Sequence, residues 1–217
     1  MQRAFGLSIP QSLKEVCHPT RLALLVYDMQ VGILRQLPSP AAVTEPVVQV
    51  LEAARDGGYR VFFCRHMSLP NELAGVMQLR TAMAWQRLND VNKVRPWFLR
   101  DSEAFQLVPE VAPRPSEAIF DKITMSCFVG TPLELALRDC GIAALAVVGV
   151  ALEVGLETTV RHAADLGFIP VVPHDACGGR DQEARERSLA SLAFAGDAIL
   201  TDARTLCGML RGTSGPD

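Results

Sequence analysis

A chain of 217 residues with a formal charge of −3, 49% hydrophobic and 21% charged residues has the balance of a folded protein, and its length suits one large domain whose core needs no disulfide or metal staple. The weak negative charge excludes a broad basic surface for nucleic acid. No apolar stretch approaches the roughly 20 residues of a membrane span, and Met1–Pro10 lacks the apolar run of a signal peptide. Six cysteines (Cys17, Cys64, Cys127, Cys140, Cys177, Cys207) form no CxxC pair, so reduced thiols and a cytoplasmic location are expected.

In chain order, Leu22–Tyr27 reads as a first strand buried on both faces. Residues 44–56 read as a helix, with Thr44 as a possible cap, Pro46 in the first turn and Gly57 past the end. Val61–Cys64 is a second strand. Residues 72–88 carry Leu73, Val76, Met77, Met83, Trp85 and Leu88 at helical spacing. The connection Val91–Pro115 holds four prolines, too many for one regular element, and suits a functional loop or an excursion at a subunit contact. Ala118–Phe120 is a third strand. Thr131-Pro132-Leu133-Glu134 places a hydroxyl, a proline and a glutamate in register to start a helix that Gly141 stops. Ala144–Val150 is a fourth strand, followed by a helix over about 154–166. Ile169–Val172 is a fifth strand, Asp181 caps a helix to about Ala195, and Ala198–Leu200 is a sixth strand. A short helix and a polar tail, Gly212–Asp217, expected to be mobile, end the chain.

Strands alternating with helices predict an α/β three-layer sandwich: a mainly parallel six-stranded sheet with helices on both faces. In such sheets ligands sit beyond the carboxyl ends of the strands. There the sequence places Asp28, then Arg65 and His66, then Asp121 and Lys122, and finally Ala151, Glu153 and Gly155 at a helix start. An acid, a base and the free N–H groups of a helix N-terminus on one edge suit a developing oxyanion. Singly, each has an ordinary structural reading: a turn-capping aspartate, a solvated lysine, packing tryptophans.

Together they resemble the isochorismatase-like (cysteine hydrolase) superfamily. "LLVYDMQ" at 24–30 is similar to that family's first-strand motif, ending in its catalytic aspartate. "IFDKITMSCFVGTPLELALRDCGI" at 119–142 is similar to its lysine segment, "VVGVALEVGLETTVRHAADLGF" at 147–168 to its nucleophile segment, and "VVPHDACGG" at 171–179 to the strand that follows. The resemblance spans about Leu22 to Ala203. It implies one hydrolase domain over residues 1–217, with residues 1–20 as an N-terminal extension and 212–217 as a tail. It further implies Asp28 as acid/base, Lys122 as its partner, a cis bond at Val150–Ala151, and Ala151 and Gly155 N–H groups as an oxyanion hole. Candidate substrate contacts are Gln30, Arg65, His66, Trp85, Arg95, Trp97, Cys127, Phe128 and Glu153.

The departure is Gly155. The family's amidases attack with a thiolate at this position, and glycine can form no acyl-enzyme. The resemblance is therefore to the true isochorismatases, which also carry glycine there and cleave a vinyl ether with the aspartate as proton donor and water as nucleophile. The histidines of the family's nicotinamidase branch are missing after the second strand, where only His66 stands, so no metal and no cofactor are expected. The expected partners are a small-molecule substrate and further copies of the chain, as a dimer or tetramer, with neither nucleic acid nor membrane. Arg65, Arg87 and Arg95 are offered as cationic contacts for an anionic substrate. Three functions compete: a thiol-independent hydrolase of a small polar metabolite, an amide or ureide hydrolase using activated water, and a non-catalytic binding or assembly member of the fold.

Overall fold

The structure, a computed structural model, describes residues 1–212. It opens with an antiparallel pair, β1 (Gln2–Ala4) and β2 (Leu7–Ile9), and a single helical turn, α1 (Leu13–Val16). The chain then alternates: β3 (Leu22–Tyr27), α2 (Val31–Leu34), α3 (Pro40–Asp56), β4 (Arg60–His66), α4 (Val76–Gln86), β5 (Ala118–Lys122), α5 (Leu133–Asp139), β6 (Ala144–Val150), α6 (Glu157–Asp165), β7 (Ile169–Pro173), β8 (Cys177–Gly178), α7 (Gln182–Ala195), β9 (Ile199–Thr201) and α8 (Ala203–Gly212). The strands from β3 onward form one sheet in the order β5-β4-β3-β6-β7-β9, with the two-residue β8 beside β6, and every pairing is parallel.

Strand alternation divides the core. Leu22, Leu24 and Val26 face a layer containing α3 and α8, among Val47, Val50, Leu206 and Leu210. Ala23, Leu25 and Tyr27 face the opposite layer, among Leu133 of α5, Val160 of α6 and Leu192 of α7. All six residues of β3 are buried, as a strand covered on both faces requires. Among the described residues no helix is long and apolar enough to cross a membrane.

The sheet has seven strands where six are expected, because β8 is too short to carry a hydrophobic pattern. The β1–β2 pair is also unannounced by the sequence pattern, and most of its side chains are exposed. The third helix starts at Pro40 after Ser39 rather than at Thr44. Thr44 instead lies inside it, its hydroxyl donating to the Pro40 carbonyl at 2.9 Å. The helix read over 72–88 contracts to α4, none of whose residues is buried, with Leu73, Val76 and Met77 at 69%, 80% and 71% exposure. Its periodicity does not mark a core stripe because α4 stands off the sheet. Asp181 does cap α7, accepting from the Ala184 N–H at 2.8 Å. Apart from Gly212, which ends α8, the expected mobile tail lies outside the described residues.

The proline-rich connection 91–115 is built from three short 3-10 turns and buries Val94, Phe98, Phe105 and Val111. It is tied to the strand ends: Phe98 and Ser68 exchange bonds, N–H to Oγ at 3.2 Å and N–H to carbonyl at 2.9 Å. Gln86 clamps both backbone groups of Arg95, at 2.7 and 3.0 Å.

Candidate active site

The order in which strands are added reverses between β3 and β6: β4 and β5 extend one way from β3, and β6, β7 and β9 the other. The crevice at the carboxyl ends of these two strands is where an open parallel sheet accommodates a ligand. Asp28 follows β3 directly. Its φ of +49° is left-handed, a conformation aspartate tolerates better than most residues. This turns the chain off the ladder, so that Tyr27 and Asp28, adjacent in sequence, both line the crevice.

Lys122, the last residue of β5, crosses beneath β4. Its Nζ donates to Asp28 Oδ2 at 2.8 Å, with both side chains buried, and lies 4.4 Å from the centre of the Tyr27 ring. Burial raises the Asp28 carboxyl to about 6, although Lys122 pulls it down by charge and hydrogen bond. Burial likewise holds the Lys122 amine below its ordinary value against the opposing pull of Asp28. Desolvation is the larger influence on both groups.

The other wall is the π-helical turn Leu152–Leu156 between β6 and α6. The Val150–Ala151 peptide is cis. The N–H groups of Val154, Gly155 and Leu156 all converge on the Ala151 carbonyl at 3.2 Å. The Gly155 N–H is therefore engaged rather than free for an oxyanion, because a π-turn wraps successive donors onto one carbonyl.

The space beside Gly155 is also filled. A Cβ there would stand 1.9 Å from the Tyr27 hydroxyl oxygen and 2.9 Å from its ring Cζ. That hydroxyl donates to the Met125 carbonyl at 2.5 Å. Burial, with the Asp28 charge adding to it, raises the phenol well above its ordinary value, so it stays protonated. Thr159 of α6 braces the same corner: its hydroxyl donates to the Gly155 carbonyl at 2.9 Å and accepts from the Cys127 N–H at 3.2 Å.

These walls enclose a pocket of about 140 Å³ lined by Tyr27, Asp28, His66, Trp85, Trp97, Phe98, Met125, Ala151, Glu153, Gly155 and Arg180, with others at its rim. Of the residues singled out from sequence, Asp28, His66, Trp85, Trp97, Ala151, Glu153 and Gly155 line it. Burial, with Lys122 nearby, lowers the His66 imidazole to about 3, so it is neutral. Glu153 accepts from the Arg180 N–H at 2.7 Å and the Asp181 N–H at 3.3 Å.

The others sit elsewhere. Gln30 is structural: buried, it donates to the carbonyls of His66 and Phe105 and accepts from the His66 N–H. Arg65 pairs with Asp121 at 2.8 Å and lies over Phe105, and neither Arg87 nor Arg95 lines this pocket. Phe128 stacks on Phe168 in the core. Cys127 is buried and joined to Cys64 as a disulfide, their Cα atoms 6.6 Å apart, which corrects the expectation of six reduced thiols. The two are 63 positions apart, so spacing gave no sign of the pairing. The Cys64 sulfur lies 3.8 Å from Asp28 Oδ1. Sequence reasoning missed Tyr27, for which the position before Asp28 was the available signal, and Arg180, which directly follows the Gly178-Gly179 pair.

The family model for the Isochorismatase domain matches residues 22–204. An uncharacterized isochorismatase family protein, YecD of Escherichia coli O157:H7, is 28% identical over 170 residues, covering 77% of this chain and 85% of its own. Among solved structures, a cysteine hydrolase from Pseudomonas syringae pv. phaseolicola 1448A superimposes with a TM-score of 0.76 at 22% identity, covering 91% of this chain and 96% of the other. N-carbamoylsarcosine amidase from Thermoplasma acidophilum gives 0.68 at 21%, covering 84% and 96%. At such identities the two structures speak for the fold.

Proposed function

From the premise that this chain belongs to the isochorismatase family, we propose that it hydrolyses a small metabolite without a thiol, using Asp28 as general acid/base and water as nucleophile. One observation carries the reading: the Tyr27 hydroxyl occupies the place that a side chain on Gly155 would need. A nucleophilic residue has no room there, while the Asp28–Lys122 pair beside it is intact.

Asp28, raised to about 6 by burial, retains a protonated fraction near neutral pH, as a general acid must. With a vinyl ether, it gives its proton to the alkene carbon, water adds to the oxocarbenium carbon so formed and returns a proton to the carboxylate, and the resulting hemiketal breaks its C–O bond to release a carbonyl compound and an alcohol. Lys122 fixes the carboxylate's orientation and steadies it when ionised. The pocket's polar rim at Glu153 and Arg180 can orient the substrate's reacting end, and Arg180 is the positively charged residue among those that line it.

A second reading draws on the same value. A carboxylate half-ionised near pH 6 can also take a proton from water, which would suit amide or ureide hydrolysis. Screening the purified protein against vinyl ethers, amides and ureides, with Asp28→Asn as the blank, separates the two. Turnover of none of them, with the fold intact, would favour a non-catalytic ligand-binding role.

A further inference from the structure

Beyond the catalytic pocket, behind Trp85 and Trp97, lies a second and larger chamber of about 380 Å³. The two spaces share His66, Trp85, Trp97, Phe98 and Met125 as common walls, so they adjoin across these side chains. At roughly 30 Å³ per water-sized group, the catalytic pocket has room for about five non-hydrogen atoms and the chamber for about a dozen. A substrate filling only the catalytic pocket would leave the chamber to water against apolar walls, a costly arrangement.

The chamber's chemistry is one-sided. Arg95 is its one formally charged lining residue among the described residues, and Arg95 is exposed. His66 is neutral because burial lowers its imidazole to about 3. The His66 ring meets Trp85 and Phe98 edge to face at 6.2 and 5.9 Å, and Trp97 meets Phe98 likewise at 6.2 Å. Such edge-to-face sets leave ring faces for a further flat group. The walls are also pre-formed: Gln86 ties α4 to Arg95, Asn71 donates to the Val94 carbonyl at 3.1 Å, and Ser68 and Phe98 are doubly bonded. A chamber so braced needs little ordering when a ligand enters.

We infer that the substrate carries an uncharged, apolar portion at least the size of a six-membered ring, which the chamber holds while the polar reacting group meets Asp28. This rests on the catalytic site proposed above, and it replaces the small polar metabolite expected from sequence with an amphipathic one.

The chain's two tryptophans, Trp85 and Trp97, both line the chamber, so their emission reports on it without any activity assay. Titration of the full chain with benzamide, cyclohexanecarboxamide, acetamide and succinamate should give saturable emission changes. The ring amides should bind at least ~10-fold more tightly than acetamide or the charged succinamate, the usual scale for burying a side-chain-sized apolar group. Ala82→Phe and, separately, Ala74→Phe fill the chamber away from Asp28, and each should erase that preference while leaving the acetamide response. Asp28→Asn should bind the ring amides as the parent does. If ring amides bind in this way but no substrate class is hydrolysed, the proposed chemistry fails and this inference stands. If small amides or vinyl ethers are hydrolysed yet ring amides bind no better than acetamide, or bind equally well to both filled variants, the inference is overturned. It is also overturned if emission responds to benzamide only after dilution from dimer to monomer, since the chamber would then hold a second copy of the chain.

Discussion

The match between Gly155 and Tyr27 can be measured as a coupling energy. In Gly155→Ala the new methyl would stand 1.9 Å from the Tyr27 hydroxyl oxygen. Ordinary contact would require the ring to retreat by about 1.5 Å. Tyr27 is 1% exposed, with the Lys122 amine 4.4 Å from its ring centre, so retreat breaks its bond to the Met125 carbonyl. Overpacking costs about 1–3 kcal/mol and an orphaned buried acceptor a similar amount. Gly155→Ala should therefore lose about 3 kcal/mol, net of the slightly under 1 kcal/mol that alanine gains over glycine in a helix. Its backbone is not left-handed, so the loss comes from the clash and not from backbone strain. Tyr27→Phe alone should lose about 1–2 kcal/mol with its hydrogen bond. In the double variant the nearest remaining contact is ring Cζ at 2.9 Å, which a few tenths of an ångström would relieve. The pair should then be less destabilised than the sum of the singles by about 1–2 kcal/mol. Urea denaturation of all four proteins, at constant slope, supplies the cycle. Strict additivity would show that the hydroxyl moves aside freely, and the claim that it denies Gly155 a side chain would be wrong.

Asp28→Asn and Lys122→Ala should each lower turnover by at least ~10²-fold with the fold retained, the usual scale for a positioned acid/base group; near-normal rates in folded Asp28→Asn would remove its role. With Asp28 held up to about 6, kcat/KM should fall as pH rises through about 6 if Asp28 acts as an acid, whereas a rise through the same region would make it a base. Because the native state binds this proton more tightly than the unfolded chain, the Asp28 contribution to stability is full below about pH 4 and lost as pH rises towards 6, which thermal melts across that window can check. Cys64→Ser and Cys127→Ser, singly and together, should lower the melting temperature by breaking the crosslink but keep turnover within about threefold below it, since sulfurs joined as a disulfide offer no thiolate for attack; loss of activity at temperatures where the variants stay folded would point to a relocated thiol.

Much of this was legible because it is local or periodic. The β3 run and the Asp181 cap of α7 each follow from a few adjacent residues, and the rule placing sites beyond strand ends brought Asp28, Lys122 and Ala151–Gly155 to one edge. What was not legible depends on contacts distant in sequence. The apolar spacing of α4 predicts burial, yet the helix walls a chamber beside the sheet instead of covering the sheet, and no pattern within residues 72–88 distinguishes these. Gln30 and Arg65 follow strands as a site residue should, but their partners, the Phe105 carbonyl and Asp121, lie far along the chain.

Gly155 shows the limit most sharply. In the sequence a glycine where a nucleophile is expected reads as a vacancy open to water or substrate. In the fold it is one half of a complementary pair whose other half, Tyr27, lies 128 positions earlier and 1.9 Å from the missing Cβ. The pair also explains why the tyrosine directly precedes the acid. Alternation along β3 sends residue 27 towards the α6 face, where the Gly155 turn begins, and the left-handed φ of Asp28 then returns the next side chain to the same crevice. A change at either position alone disturbs packing and the acid's surroundings together. A larger residue at 155 therefore costs least where residue 27 is already smaller, because the shorter side chain removes the 1.9 Å contact.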